Sequence, residues 1–232
     1  MKKYLLILAL ALFALSANAK RTQATLSTDP NLHVGKLPNG LTYYILHNNT
    51  PPNRANFYLA QCVGSLQESD NQRGLAHFLE HLCFNGTRHF PSNTLVAYLE
   101  TLGLKFGQNI NAYTGMERTV YHLNNVPTAR TSALDSCLLA LRDWACDISF
   151  SPEEINKERG VINEEWRQRN SATARMLQRN LPRLYPNSLY AHRAPIGLME
   201  IIDTVGPSTL RQYYHQWYHP QNQAIIVVGD VD

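Results

Sequence analysis

Gly74-Leu75-Ala76-His77-Phe78-Leu79-Glu80-His81-Leu82-Cys83-Phe84 carries two patterns on one helical period. Leu75, Phe78, Leu79 and Leu82 recur at i, i+3, i+4 and i+7, the stripe of a helix packed on a core. His77 and His81, at i and i+4, stand one above the other on the opposite side with Glu80 beside them. That second face has almost no ordinary solubilising residues, so its ionisable groups need partners. Two neutral imidazoles with a carboxylate nearby are what a zinc ion takes from a helix, and H-x-x-E-H is the inverted counterpart of H-E-x-x-H. A hydrogen-bonded cluster of the same three side chains is the alternative.

On the N-terminal side, Pro38-Asn39-Gly40 reads as a turn joining the region of Val34 to the run Leu41 to Leu46, which predicts a hairpin. Ala55 to Val63 has the composition of a buried strand. On the C-terminal side, Asn85-Gly86-Thr87 ends the histidine helix, and a second helix is expected over Asn93 to Leu102. Strands follow at Gly107 to Thr114 and Thr119 to Val126, then a long helix over Ala129 to Asp147. Ser151-Pro152-Glu153-Glu154 supplies an N-cap, a proline in the first turn and a capping-box glutamate, so another helix begins there and runs past Arg169. Two prolines break the stretch from Asn180 to Asn187. A last helix covers Ser208 to Trp217 and a last strand Gln223 to Val228. Elements in this order, without regular βα alternation, indicate an α+β domain. The chain stops at Val231-Asp232 directly after a core-like strand, which reads as a cut within a longer protein.

The helix starting at Pro152 holds a second constellation. Glu158 and Glu165 are seven residues apart, about two turns, with Val161 and Ile162 between them on the same face. Burying either carboxylate costs several kcal/mol without a compensating cation or donor, so a metal or an Arg is expected opposite. Both could instead edge an ordinary amphipathic stripe. Glu164 points about 120° from Glu158 and reads as exposed. Other candidates are weaker. His215 and His219 share i, i+4 spacing but have no acid between them, and His219 precedes Pro220. Cys83 points roughly 200° away from His81 around the helix, a poor direction for a fourth ligand.

Composition bounds the function classes. Of 232 residues, 44% are hydrophobic and 17% charged, which excludes collagen-like, low-complexity and intrinsically disordered chains. The net charge of +3 falls to +1 without Lys2 and Lys3, and the basic residues are scattered, so no nucleic-acid partner is expected. Residues 1–19 combine Lys2 and Lys3, an apolar run from Leu5 to Leu15 and Ala17-Asn18-Ala19, the pattern of a secretory signal peptide. The run is too short for a membrane span, and no second one follows. The mature, soluble protein is expected to begin near Lys20 and be exported, to the periplasm if the source is Gram-negative and otherwise as a secreted protein. Among four cysteines, Cys137 and Cys146 lie about 13 Å apart along one helix, beyond bridging distance. A Cys62–Cys83 bridge stays open, and buried free thiols are the favoured reading.

Together these residues resemble the pitrilysin/insulinase zinc metallopeptidases, especially their exported bacterial members. The resemblance runs through Leu37-Pro38-Asn39-Gly40-Leu41, Gly64-Ser65, Gly74 to His81, Phe84-Asn85-Gly86-Thr87, Asn111-Ala112-Tyr113-Thr114, Thr119-Val120-Tyr121, Glu158-Arg159-Gly160-Val161-Ile162 and Val228-Gly229-Asp230. It implies a single metallopeptidase-type domain over residues 20–232, with a mostly antiparallel mixed sheet packed against several helices. It also implies one Zn2+ per domain, bound by His77, His81 and Glu165, with Glu80 as general base. Glu158 would be the family's second glutamate, supporting catalysis without binding the metal. A rigid residue count from His81 would choose Glu158 as third ligand; keeping the local Glu-x6-Glu motif intact chooses Glu165. Gly107 to Thr114, with Asn111 and Ala112, resembles the edge strand on which an extended peptide substrate adds as an extra strand. The family is built from paired domains, so the implied partner is a C-terminal half or a second homologous subunit. The implied function is zinc-dependent endopeptidase. A non-catalytic partner half and a metal-binding protein without hydrolysis are the competing readings.

Overall fold

The computed structural model describes residues 27–231, so the leader expected at residues 1–19 lies outside the described residues. Six strands form one sheet: β1 (Leu32–Lys36), β2 (Thr42–His47), β3 (Arg54–Gln61), β4 (Ile110–Thr114), β5 (Thr119–Pro127) and β6 (Gln223–Gly229). Their order across the sheet is β1-β2-β6-β3-β5-β4. Only β2 and β6 pair in parallel, so the sheet is mixed and mostly antiparallel, as expected. The Pro38-Asn39-Gly40 turn closes the β1–β2 hairpin, with Gly40 at φ 95° and the Leu37 amide donating to Leu41 O.

Seven α-helices stand among the described residues: α1 (Leu75–Leu82), α2 (Thr94–Thr101), α3 (Thr131–Cys146), α4 (Pro152–Arg169), α5 (Ala172–Leu184), α6 (Met199–Ile202) and α7 (Pro207–Trp217). The central strand β3 alternates strictly, burying Ala55, Phe57, Leu59 and Gln61, because successive side chains point to opposite faces. Register then lays rows across the core side of the sheet. One is Val227–Phe57–Leu123–Ile110, and the next ends at Leu59–Tyr121–Ala112. Helices α1 and α3 pack on this side, and Trp144 Nε1 of α3 donates to Cys83 O just after α1 at 2.8 Å. The edge strand β4 carries these rows to the side of α1.

Four local expectations need correction. The helix from Pro152 ends at Arg169, and a new helix runs on from Ala172 to Leu184. Ser171 starts it by accepting from the Ala174 amide, and the helix runs through Pro182 before it ends at Leu184. Ser151 precedes α4 but its side chain makes no capping bond; the proline in the first turn is the part of that signal that is used. Val161 is 42% exposed while Ile162 is fully buried, so the stripe on α4 is narrower than its sequence suggests. Strand β4 also begins later than Gly107, which at φ 79° forms a turn held by Asn109 Oδ1 on the Lys105 amide. All four cysteines are free: Cys83 and Cys137 are buried, Cys62 and Cys146 exposed. No described helix is long and apolar enough to cross a membrane.

Candidate metal centre

Helix α1 begins at Gly74, whose φ of 105° turns the chain into the helix. The carboxylate of Glu68, 3% exposed, accepts from the amides of Gly74 and Ala76, both at 2.9 Å, and so satisfies donors that a helix start leaves open. Leu75, Phe78, Leu79 and Leu82 are buried as the apolar stripe requires, which turns His77, Glu80 and His81 toward α4 and β4. Helix α4 is held against α1 by Ile155 and Ile162 and by Arg159. That guanidinium donates to Ile202 O and Val205 O and lies 5.8 Å from the centre of the Phe78 ring.

This packing brings the sequence candidates together. His77 Nε2 and His81 Nε2 face each other at 3.2 Å. Glu165 reaches both rings, with Oε2 3.4 Å from His77 Nε2 and Oε1 3.5 Å from His81 Nε2. Metal–ligand bonds of roughly 2.0–2.2 Å place tetrahedral ligand atoms about 3.3–3.6 Å apart, close to the spacings seen here. Glu165 Oε2 is buried and makes no well-aligned hydrogen bond, its neighbours being His77 Nε2 at 3.4 Å and Arg169 Nη2 at 3.3 Å. The donor set therefore fits a divalent cation, and His77, His81 and Glu165 are the only such group among the described residues.

The neighbours set the charge state. Glu158 lies one layer out: its Oε2 is 2.9 Å from His81 Nδ1, on the ring atom turned away from His77. Burial alone would lower the His81 pKa, but the bond to Glu158 and the charges of Glu158, Glu165 and Glu80 outweigh it and raise it. Burial likewise pushes the Glu158 carboxyl up, and contact with His81 and Asn85 reverses this to below the ordinary range. Contact with the His77 ring is the largest influence on Glu165; against burial, and with His81 and Arg169 adding to it, that carboxyl is held down to about 2.

Glu80 accepts from Thr114 Oγ1 on β4. Glu80, His81, Glu158 and Glu165 line a cleft of about 340 Å³ together with the apolar Phe84, Phe106 and Val161. Asn111 also lines this cleft, whereas Ala112 lies beside it on the same edge strand. Glu164 faces outward and pairs with Arg167. His215 and His219 are exposed and outside the cluster, as is buried Cys83. Sequence reading missed Thr114, Phe106 and Glu68. Thr114 closes the Asn-Ala-Tyr-Thr run already singled out, but nothing local ties Glu68 or Phe106 to α1.

Residues 43–189 match the family described as Insulinase (Peptidase family M16). The chain is 43% identical over 209 residues to the probable zinc protease PqqL of Escherichia coli, covering 90% of this chain and 22% of that protein. It is 39% identical over 228 residues to the probable zinc protease PqqL of Haemophilus influenzae, covering 98% and 24%. The solved first half of the periplasmic protease PqqL from E. coli superimposes with a TM-score of 0.85 at 42% identity, covering 90% of this chain and 44% of that one. The chain thus spans about a quarter of the length of these relatives. With the fold, the inverted histidine motif and the match over 43–189 in agreement, the chain belongs to the insulinase family, peptidase family M16.

Proposed function

We propose that this chain is the zinc-binding domain of an exported endopeptidase that hydrolyses peptides or small unfolded proteins. The observation that carries the reading is the convergence of His77 Nε2, His81 Nε2 and a Glu165 oxygen at separations of 3.2–3.5 Å. These three side chains would hold one Zn2+. When bound there, zinc supplies Lewis acidity, polarising the scissile carbonyl and acidifying water. Glu80 acts as general base: Thr114 occupies its Oε2, leaving Oε1 to take the proton of the attacking water and pass it to the leaving amine. Glu158 accepts from His81 Nδ1 and fixes the ring with Nε2 toward the metal. The free edge of β4, with Asn111 and Ala112, pairs with the peptide main chain. Phe84, Phe106 and Val161 offer an apolar side chain of the substrate a wall beside the reacting bond.

Export is supported by the leader pattern in residues 1–19 and by the periplasmic location of the PqqL relative. The shortfall in length against the relatives supports a partner, either a C-terminal half or a second homologous subunit, that completes the chamber. The test is zinc content by mass spectrometry after dialysis against trace zinc. About one zinc per chain is expected, and Glu165→Gln should lose it. Absence of zinc from the native chain would overturn the reading. Any zinc-dependent peptide cleavage should also vanish in Glu80→Gln with zinc retained; hydrolysis surviving that exchange would remove Glu80 from its role, and zinc binding without hydrolysis in the completed protein would favour metal carriage or a non-catalytic half.

A further inference from the structure

Strand alternation divides the main-chain groups of β4 between the sheet and the outside. Asn109 O, just before the strand, accepts from the Asn124 amide at 2.7 Å and so faces β5; by the same parity Asn111 and Tyr113 point their N–H and C=O groups at β5. Ile110, Ala112 and Thr114 point theirs outward, along the edge on which a peptide would add. Ile110 is already engaged at both groups: its amide donates to Lys105 O at 3.2 Å and its oxygen accepts from the Gly107 amide at 2.9 Å. Past Thr114 the chain is taken as well, because Gly115 O and Met116 O accept from the Ser65 and Leu66 amides at 3.2 and 2.9 Å. Closed at both ends, the edge offers a peptide the main chain of Ala112 and Thr114.

The first of these two rungs is not idle. Ala112 belongs to the core-side row with Tyr121 and Leu59, so Asn111 starts from the opposite face of the sheet. Its side chain nevertheless bends around the edge: Oδ1 accepts from the Ala112 amide at 2.9 Å, and Nδ2 donates to Gly107 O at 3.3 Å. A carboxamide carries the acceptor and donor of a peptide group, and here it makes one of the bonds that an added strand would make. It also blunts an edge that would otherwise pair with any extended chain.

We infer that β4 reads the substrate main chain at two rungs, Ala112 and Thr114, and that the Asn111 carboxamide is a displaceable stand-in for the substrate at the first. A peptide seats by taking the Ala112 amide from Asn111 Oδ1 with one of its own carbonyls. In either strand direction, the N–H groups of two of its residues, spaced two apart, then reach Ala112 O and Thr114 O. The inference rests on the peptidase reading and names what that site admits: an extended stretch with an N–H at both positions, so that proline at either is disfavoured. Thr114 thereby serves twice, with its hydroxyl on Glu80 and its main chain on the substrate.

The test uses the 232-residue chain in chelator, so that no peptide is hydrolysed and the outcome does not depend on zinc. Amide hydrogen exchange followed by NMR is expected to be about tenfold faster at Ala112 in Asn111→Ala than in the native chain, the effect of one lost hydrogen bond, with the Tyr113 amide unchanged. Asn111→Asp, which keeps an acceptor, should leave Ala112 slow. The second arm is a labelled dodecapeptide of Gly and Ser around a single Phe-Leu pair that fixes its register, N-methylated at one residue at a time. Fluorescence anisotropy on the native chain should show binding weakened about three- to tenfold at two positions, two residues apart, and at no others. The parent peptide should bind Asn111→Ala at least as tightly as the native chain, since its competitor is gone. Unchanged exchange at Ala112 in Asn111→Ala, or weaker peptide binding by that variant, would overturn the inference. So would sensitivity to N-methylation at adjacent positions or along the whole peptide, or no peptide binding at millimolar concentration. Zinc content and Glu80→Gln test the peptidase reading separately, so either can fail alone.

Discussion

At the scale of single residues, the two glutamates of α4 differ in what they face. Glu165 meets both imidazole Nε2 atoms, and Glu158 meets only the outer Nδ1 of His81. Their removal should therefore have unequal effects. Glu165→Gln is expected to abolish tight zinc binding. Glu158→Gln should retain the metal with roughly 10–100-fold weaker affinity, the usual cost of losing a partner that orients a ligand. Competition with a chromophoric chelator measures both, and the reverse ranking would exchange the two assignments.

At the scale of elements, the start of α1 depends on a residue outside it. Burial pushes the Glu68 carboxyl up to about 7, against the amides of Ala76 and Gly74 and the charges of Arg193 and Arg73, which favour its ionised form. Glu68 itself is anchored through its main-chain oxygen, which accepts from Arg193 Nε at 3.0 Å. An unfolded glutamate titrates near 4.3, so between about pH 4.3 and 7 the folded chain binds more protons at this site than the unfolded chain. The contribution of Glu68 to stability therefore declines as pH rises through that window, and Glu68→Gln lacks the decline. Thermal melts should show native chain and variant diverging by several degrees across the window in the variant's favour, at roughly 2–4 °C per kcal/mol for a chain of this size. Parallel pH profiles would rule this out. The same end of α1 tolerates no side chain at Gly197, where a Cβ would stand 2.3 Å from Gly74 Cα.

At the scale of the molecule, the metal candidates all come from α1 and α4 of one compact unit, Asn31–Asp232. The cleft beside them is open, and relatives are about four times longer than this chain. On the proposed reading, in which a partner half encloses the substrate, zinc binding should be complete in this chain while peptide hydrolysis stays slow. Co-expression with the portion of a PqqL relative that lies beyond the matched stretch should raise kcat/KM by orders of magnitude at unchanged zinc content. Brisk hydrolysis by the chain alone would show that the chamber is dispensable.

Local pattern made much of this legible. The stripe of Leu75, Phe78, Leu79 and Leu82, the i, i+4 histidines and the Glu-x6-Glu spacing follow from the fixed 3.6-residue period of a helix, and the β1–β2 hairpin from the turn chemistry of Asn39-Gly40. The break at Asn170-Ser171 carries neither proline nor glycine to mark it, and the narrow stripe on α4 was hidden because Val161 borders a cleft that no local rule reveals. Residue spacing alone, from His81 across β4, β5 and α3 to α4, left Glu158 and Glu165 in competition. The sequence by itself determined which residue types share a helix face. Only the tertiary structure decided which carboxylate meets the imidazoles, that Thr114 holds Glu80 and that Glu68 caps α1, because those meetings depend on loop lengths and interhelical packing, which no helical or strand period sets.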